Sequence, residues 1–183
     1  MSVLEIVHYG DPILKKACKA ITDFSKLDSI LEDMFDSMYE AEGIGLAANQ
    51  VGLDLHLFIV DISHTDESDD VHIFINSSII SQNPDKEIFQ EGCLSLPGIS
   101  LDILRPKKIK LKYQTPDKKW HENFFDGLLA RAIQHEIDHL NGVFIIDRVS
   151  DVERIKYITE LKSLEKESKQ RISIRSKEKG FFL

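Results

Sequence analysis

The chain has 183 residues, 42% hydrophobic and 30% charged, with 23 Lys+Arg against 31 Asp+Glu and a formal net charge of −8. That length and apolar fraction exclude intrinsic disorder and collagen-like architecture and predict one domain over residues 1–183. The two cysteines, Cys18 and Cys93, exclude a disulfide scaffold, and the acidic balance argues against a nucleic-acid binder relying on phosphate neutralisation.

In chain order, the opening Met1-Ser2-Val3-Leu4-Glu5-Ile6 lacks the basic and apolar regions of a secretory signal. No apolar run approaches the ~20 residues that span a bilayer. Both features point to the cytoplasm and to no membrane partner. Leu27, Ile30, Leu31, Met34, Phe35 and Met38 recur at three- and four-residue steps. This spacing predicts a helix capped at Asp23 or Ser25 and ending near Glu42-Gly43. Leu57–Val60, Val71–Ile75 and Ile109–Tyr113 are rich in β-formers, and the polar stretch Ser63–Asp70 between the first two reads as an exposed loop. Thr115-Pro116-Asp117-Lys118 is a turn that closes a hairpin with Trp120–Phe125. A second helix runs from Asp126-Gly127 to Asn141-Gly142, whose glycine is a C-terminal stop signal. A third starts near Ser150, with Val152, Ile155, Ile158, Leu161 and Leu164 along one face. The expected fold is α+β, with antiparallel or mixed sheets around a central helix and an amphipathic C-terminal helix and tail over residues 148–183.

The central helix carries His135-Glu136-Ile137-Asp138-His139, an HExxH. At 3.6 residues per turn the two imidazoles lie one above the other, able to share a metal ion while Glu136 leans toward its water. Asp138 points elsewhere. A catalytic metal of this type needs a third protein ligand, and no histidine follows His139. Glu160, 21 residues further on, would complete a two-His-one-Glu protease. Cys93, in Gln90-Glu91-Gly92-Cys93-Leu94-Ser95-Leu96-Pro97-Gly98, is the competitor, although a free cysteine is more often a small buried apolar residue. Cys18 and the scattered His8, His56, His64, His72 and His121 have no such neighbourhood. Gly43-Ile44-Gly45-Leu46-Ala47-Ala48-Asn49-Gln50 permits close backbone approach by a ligand, but lacks the third glycine of a dinucleotide fingerprint.

Together, Gly43–Gln50 (GxGLAAxQ), Glu91–Ser95 (EGCLS) and Gln134–His139 (QHExDH) resemble the three signatures of bacterial peptide deformylases, complete and in the family's order. The resemblance spans nearly the whole chain. It implies a metal-dependent hydrolase that removes the N-terminal formyl group from formyl-methionine of nascent proteins. Carried over by position, it makes Cys93, His135 and His139 the ligands of one divalent ion, typically Fe(II), with Zn, Ni or Co able to substitute. Glu136 becomes general base and acid, while Gln50 and the backbone N–H of Leu94 stabilise the oxyanion. The chemistry implied is attack of a metal-bound hydroxide on the formyl carbon, with the proton returned by Glu136 to the departing amine.

Leu128, Arg131, Ala132 and His135 fall on one face of the central helix. By resemblance the methionine side chain sits there, near Ile44, Gly45 and Phe89, with Arg131 packing its aliphatic stem and sending its head to water. Many relatives carry an arginine shortly after the cysteine motif that helps hold the peptide. Ser100 stands at that place here, and Arg105 is the candidate substitute. A metallated but inactive adaptor is the non-enzymatic alternative. Residues 148–183 hold ten Lys+Arg and six Asp+Glu, a balance of +4 in an acidic chain. The resemblance makes this segment a candidate ribosome contact through phosphate.

Overall fold

The pairing of strands follows from which segments can bury one face. In the computed structural model, which describes residues 3–65 and 71–180 (backbone alone for 175–180), seven strands form two antiparallel sheets. They are β1 (Gly45–Ala47), β2 (Leu57–Val60), β3 (His72–Gln82), β4 (Lys86–Gly92), β5 (Ser100–Pro106), β6 (Lys108–Gln114) and β7 (Trp120–Asp126). The larger sheet has the order β1-β2-β3-β6-β7, and β4 pairs with β5 alone. The expected β6–β7 hairpin closes at Thr115–Lys119, with Tyr113 opposite His121 and Gln114 opposite Trp120. The loop residues 66–70 lie outside the described residues.

Helix α1 (Leu27–Glu40) buries Leu27, Leu31, Met34 and Met38, four of the six predicted positions. Its cap differs from expectation. Asp23 Oδ1 accepts from Ser25 N–H in a turn just before the helix, which occupies that acceptor. Lys26 takes the N-cap position without a side-chain bond. Helix α2 (Gly127–Leu140) has the predicted limits, with Asp126 and Asn141 as its caps. Gly142 follows at φ +73, and a Cβ there would lie 2.6 Å from Lys15 O, so the stop signal also lets the N-terminal segment pass.

Two faces of α2 have different partners. Ile133, Ile137 and Leu140 pack with Phe58, Phe74, Ile109 and Leu111 of the larger sheet, each buried side chain contributing roughly 1.5–3 kcal/mol. Arg131, His135 and Asp138, also at i, i+4 and i+7, face the β4–β5 hairpin. A second cluster joins Leu96, Leu101, Ile103, Phe144 and Ile146 to Leu161 and Leu164.

The C-terminal segment is two helices. Ser150 caps α3 (Asp151–Ile155) by accepting from Glu153 N–H, the chain breaks at Lys156–Tyr157, and α4 (Ile158–Gly180) follows. The expected single apolar face therefore divides: Leu161 and Leu164 are buried, whereas Val152 and Ile155 are 70% and 65% exposed. Among the described residues no helix is long and apolar enough to cross a membrane.

Candidate metal centre

Strand β4 ends at Gly92 and delivers Cys93 to the face of α2 that carries His135 and His139. Cys93 Sγ lies 3.1 Å from His139 Nε2, which lies 3.2 Å from His135 Nε2. All three donor atoms fall within 4.8 Å of one another, the one such group of His, Cys, Asp or Glu among the described residues. The protease alternative does not survive this geometry, because Glu160 is exposed on α4 and outside the group.

The hydrogen bonds behind the donors favour the same reading. His135 Nδ1 is 3.0 Å from Glu91 Oε2. An ionised carboxylate only accepts, so Nδ1 carries a proton toward Glu91, and Nε2 is the ring atom a metal would take in exchange for a proton. Burial opposes charge on His135, yet its hydrogen bonds to Cys93 and Glu91 hold its pKa well above the usual value. Burial, aided by His135 and Arg105, holds that of His139 well below. Glu91 is itself buried, a cost outweighed by Arg105 and His135, which keep its pKa at about 2.

That carboxylate anchors a wider network which the motifs did not reveal. Arg105, only 2% exposed, donates Nε and Nη2 to Glu91 at 2.6 and 2.9 Å and Nη1 to Asp138 at 2.8 Å. Arg148 closes on the other side of Asp138. Arg131 Nη1 donates to Glu91 Oε1 at 2.7 Å and to Ile103 O at 3.1 Å, and Nη2 to Glu87 O at 3.0 Å. The expectation that the Arg131 head reaches water is thus corrected. A guanidinium offered a carboxylate and two carbonyls stays inside, since burial costs little once its donors are paired. Arg105 is equally occupied and does not line the cleft. Ser100 is exposed on β5 and does not line it either.

Glu136 is buried beside the three donors, and its Oε2 has no hydrogen-bond partner among the described residues. Burial, reinforced by Glu91 and Asp138 against His135 and Arg105, pushes its pKa up to about 7. A carboxyl so tuned exchanges protons near neutrality. Gly45 is what allows it room: a Cβ there would lie 2.6 Å from Glu136 Oε1. Gln50 Oε1 accepts from Ala47 N–H at 2.8 Å, which turns Nε2 toward Ser95 Oγ at 3.3 Å and Cys93 Sγ at 3.9 Å. A cavity of about 370 Å³ opens over these groups. Ile44, Gly45, Phe89, Leu128, Arg131 and Ala132 line it together with Gln50, Cys93, Leu94, His135 and Glu136.

Cys18 packs against the core of the larger sheet, and burial together with Asp54 raises its thiol to about 11. It stays outside the site, as do the five scattered histidines.

A soft thiolate and two imidazoles beside an unpartnered buried carboxylate, at the foot of a largely apolar cleft, define a metallohydrolase. Residues 3–155 match the model of the polypeptide deformylase family. The peptide deformylase of Chromobacterium violaceum is 43% identical over 169 residues, 92% of this chain and 99% of that one. A crystal structure of the Plasmodium falciparum peptide deformylase aligns with TM-score 0.85 at 36% identity, covering 91% of this chain and 98% of the other. Arabidopsis thaliana peptide deformylase 1B, in complex with an inhibitor, aligns with TM-score 0.85 at 36% identity, over 92% and 93%. The chain belongs to the peptide deformylase family. It is a metal-dependent enzyme that removes the N-terminal formyl group of nascent peptides, releasing formate, and its cofactor is a divalent metal ion.

Proposed function

We propose that Cys93, His135 and His139 hold that ion, that it is Fe(II) in the cell, and that Zn, Ni or Co can replace it. The observation that carries this assignment is the convergence of one sulfur and two Nε2 atoms within 4.8 Å, beside a carboxyl poised near neutrality. The thiolate suits a soft or borderline ion better than a hard one. When bound, such an ion polarises the formyl carbonyl and makes hydroxide available at neutral pH.

The remaining steps belong to the chain's own groups. Glu136 takes the proton of the attacking water and returns it to the departing amine, for which a pKa of about 7 is matched. Gln50 Nε2 and the backbone N–H of Leu94 donate to the oxyanion, each such donor contributing roughly 10²–10³ in rate. Ile44, Gly45, Phe89, Leu128, Arg131 and Ala132 enclose the methionine side chain. The chain acts as one catalytic domain of the cytoplasm, where formyl-methionine chains emerge. Its basic segment 148–183 contacts the ribosome. Ser168 Oγ donates to His8 O and Tyr9 O at 3.1 and 2.9 Å, supporting α4 as part of that domain.

The test is Cys93→Ala, purified anaerobically. Loss of both bound metal and formate release from formyl-Met peptides, with retained circular dichroism, is expected. A variant that keeps its metal and its turnover overturns the ligand assignment.

A further inference from the structure

Arg131 is unusual in its setting, a buried cation in the wall of a cleft assigned to an uncharged thioether side chain. Three of its five N–H donors go to Glu91, Ile103 and Glu87, which ties the head group to the protein. The guanidinium lies over the Phe89 ring, Cζ 5.5 Å from the centroid. Phe89 is 56% exposed and lines the cavity, so part of its ring is within reach of a bound side chain. An aromatic side chain that exposed rotates freely unless something holds it. Here the cation–π contact and the bond from Arg131 to the Glu87 carbonyl, two residues along the same strand, hold both ring and backbone.

We propose that Arg131 is a positioning residue and Phe89 the specificity-determining one. The guanidinium fixes the Phe89 ring as an aromatic contact for the methionine sulfur, so that the pocket selects a thioether over an alkyl chain of the same shape. This rests on the assignment of the cleft to the methionine side chain and adds how that side chain is distinguished. Sulfur–aromatic contacts favour the thioether by about two- to tenfold in binding. Preorganising the ring before binding preserves that gain, because no rotamer freedom is then lost. Glu91 keeps Arg105 and His135 when Arg131 is removed, so the metal side of the network retains its partners.

The experiment compares peptides that differ only in methionine against norleucine at the first position. The metallated protein and its Phe89→Leu, Arg131→Met and Arg131→Lys variants are each measured for kcat and KM with the formylated forms. Dissociation constants for the free-amine product forms, which bind without being hydrolysed, give a second reading, and metal content per chain is recorded throughout. The wild type is expected to prefer methionine about two- to tenfold in both readings. Phe89→Leu brings the ratio to about one, Arg131→Met moves it most of the way with the loss falling on KM, and Arg131→Lys retains part of the preference. A wild-type ratio of one overturns the proposal, as does an unchanged ratio in Phe89→Leu or Arg131→Met, or a loss of metal with the ratio intact. A fully metallated wild type that releases no formate from either peptide removes the deformylase assignment instead, and the product-peptide constants then still decide the selectivity of the cleft.

Discussion

Arg105→Met removes the charge at the centre of the buried network while approximately keeping the side chain's volume. The three side chains involved are 2%, 5% and 10% exposed for Arg105, Glu91 and Asp138. Stranding buried carboxylates in this way costs roughly 3–5 kcal/mol. Arg131 and His135 remain on Glu91, and Arg148 remains on Asp138, which places the expected loss at the lower end, about 3 kcal/mol. For a domain of this size that corresponds to a melting temperature lower by about 6–12 °C. Urea unfolding of the metal-free protein at pH 7 measures the loss directly. The sign with pH follows from Glu91: its pKa is depressed in the fold to about 2, so its stabilisation is full above the ordinary carboxylate range and fades as pH falls toward 2. The gap between wild type and variant should therefore narrow on acidification below pH 5. The double variant Glu91→Gln/Arg105→Met should be more stable than the sum of its singles by about 1 kcal/mol or more, because the removed charges were partners. A loss under about 0.5 kcal/mol in Arg105→Met, or strict additivity in the cycle, refutes the view that these groups are held by one another.

Gly45→Ala should leave stability nearly unchanged but lower kcat by at least about tenfold, since a Cβ 2.6 Å from Glu136 Oε1 displaces the proposed base; unchanged kinetics would show that the carboxyl has room to move. Metal-stripped protein treated with iodoacetamide at pH 7.5 should be modified at Cys93, which lines the cleft, and spared at Cys18, whose thiol is raised to about 11; peptide mapping that finds Cys18 modified first contradicts this. The iron-loaded enzyme should lose formate release in aerated buffer faster than the nickel-loaded one, because the thiolate ligand shares an open cleft with a redox-active ion. Equal half-lives count against iron held by Cys93.

How much of this was legible in the sequence depends on whether the signal is local. Helix α2 was legible because Asp126-Gly127 and Asn141-Gly142 punctuate it and two residue sets repeat every turn. The β6–β7 hairpin was legible from its Pro-Asp turn and from alternating apolar and basic residues. Strands β4 and β5 were not recognised. In Lys86–Gly92 only Glu91 is buried, so the segment carries no apolar alternation. In β5 the inward positions are Leu101, Ile103 and Arg105, and a buried arginine breaks the pattern that defines a strand. The break between α3 and α4 carries neither glycine nor proline, and nothing local reports that Val152 and Ile155 face outward. The motifs brought Cys93, His135, His139, Glu136 and Gln50 to one place. They did not reveal the partners of Glu91 and Asp138, because Arg105, Arg131 and Arg148 reach them across separate elements. A carboxylate two residues before the proposed ligand Cys93 was the one available hint.

The most direct test of the catalytic account is Glu136→Gln, purified anaerobically, with metal per chain and formate release measured on the same sample. The amide preserves shape but can neither take nor return a proton, so full metal content with turnover reduced at least about 10³-fold is expected. A fully metallated Glu136→Gln enzyme that still releases formate at near the wild-type rate contradicts the assignment of Glu136 as the base and, with it, the proposed mechanism.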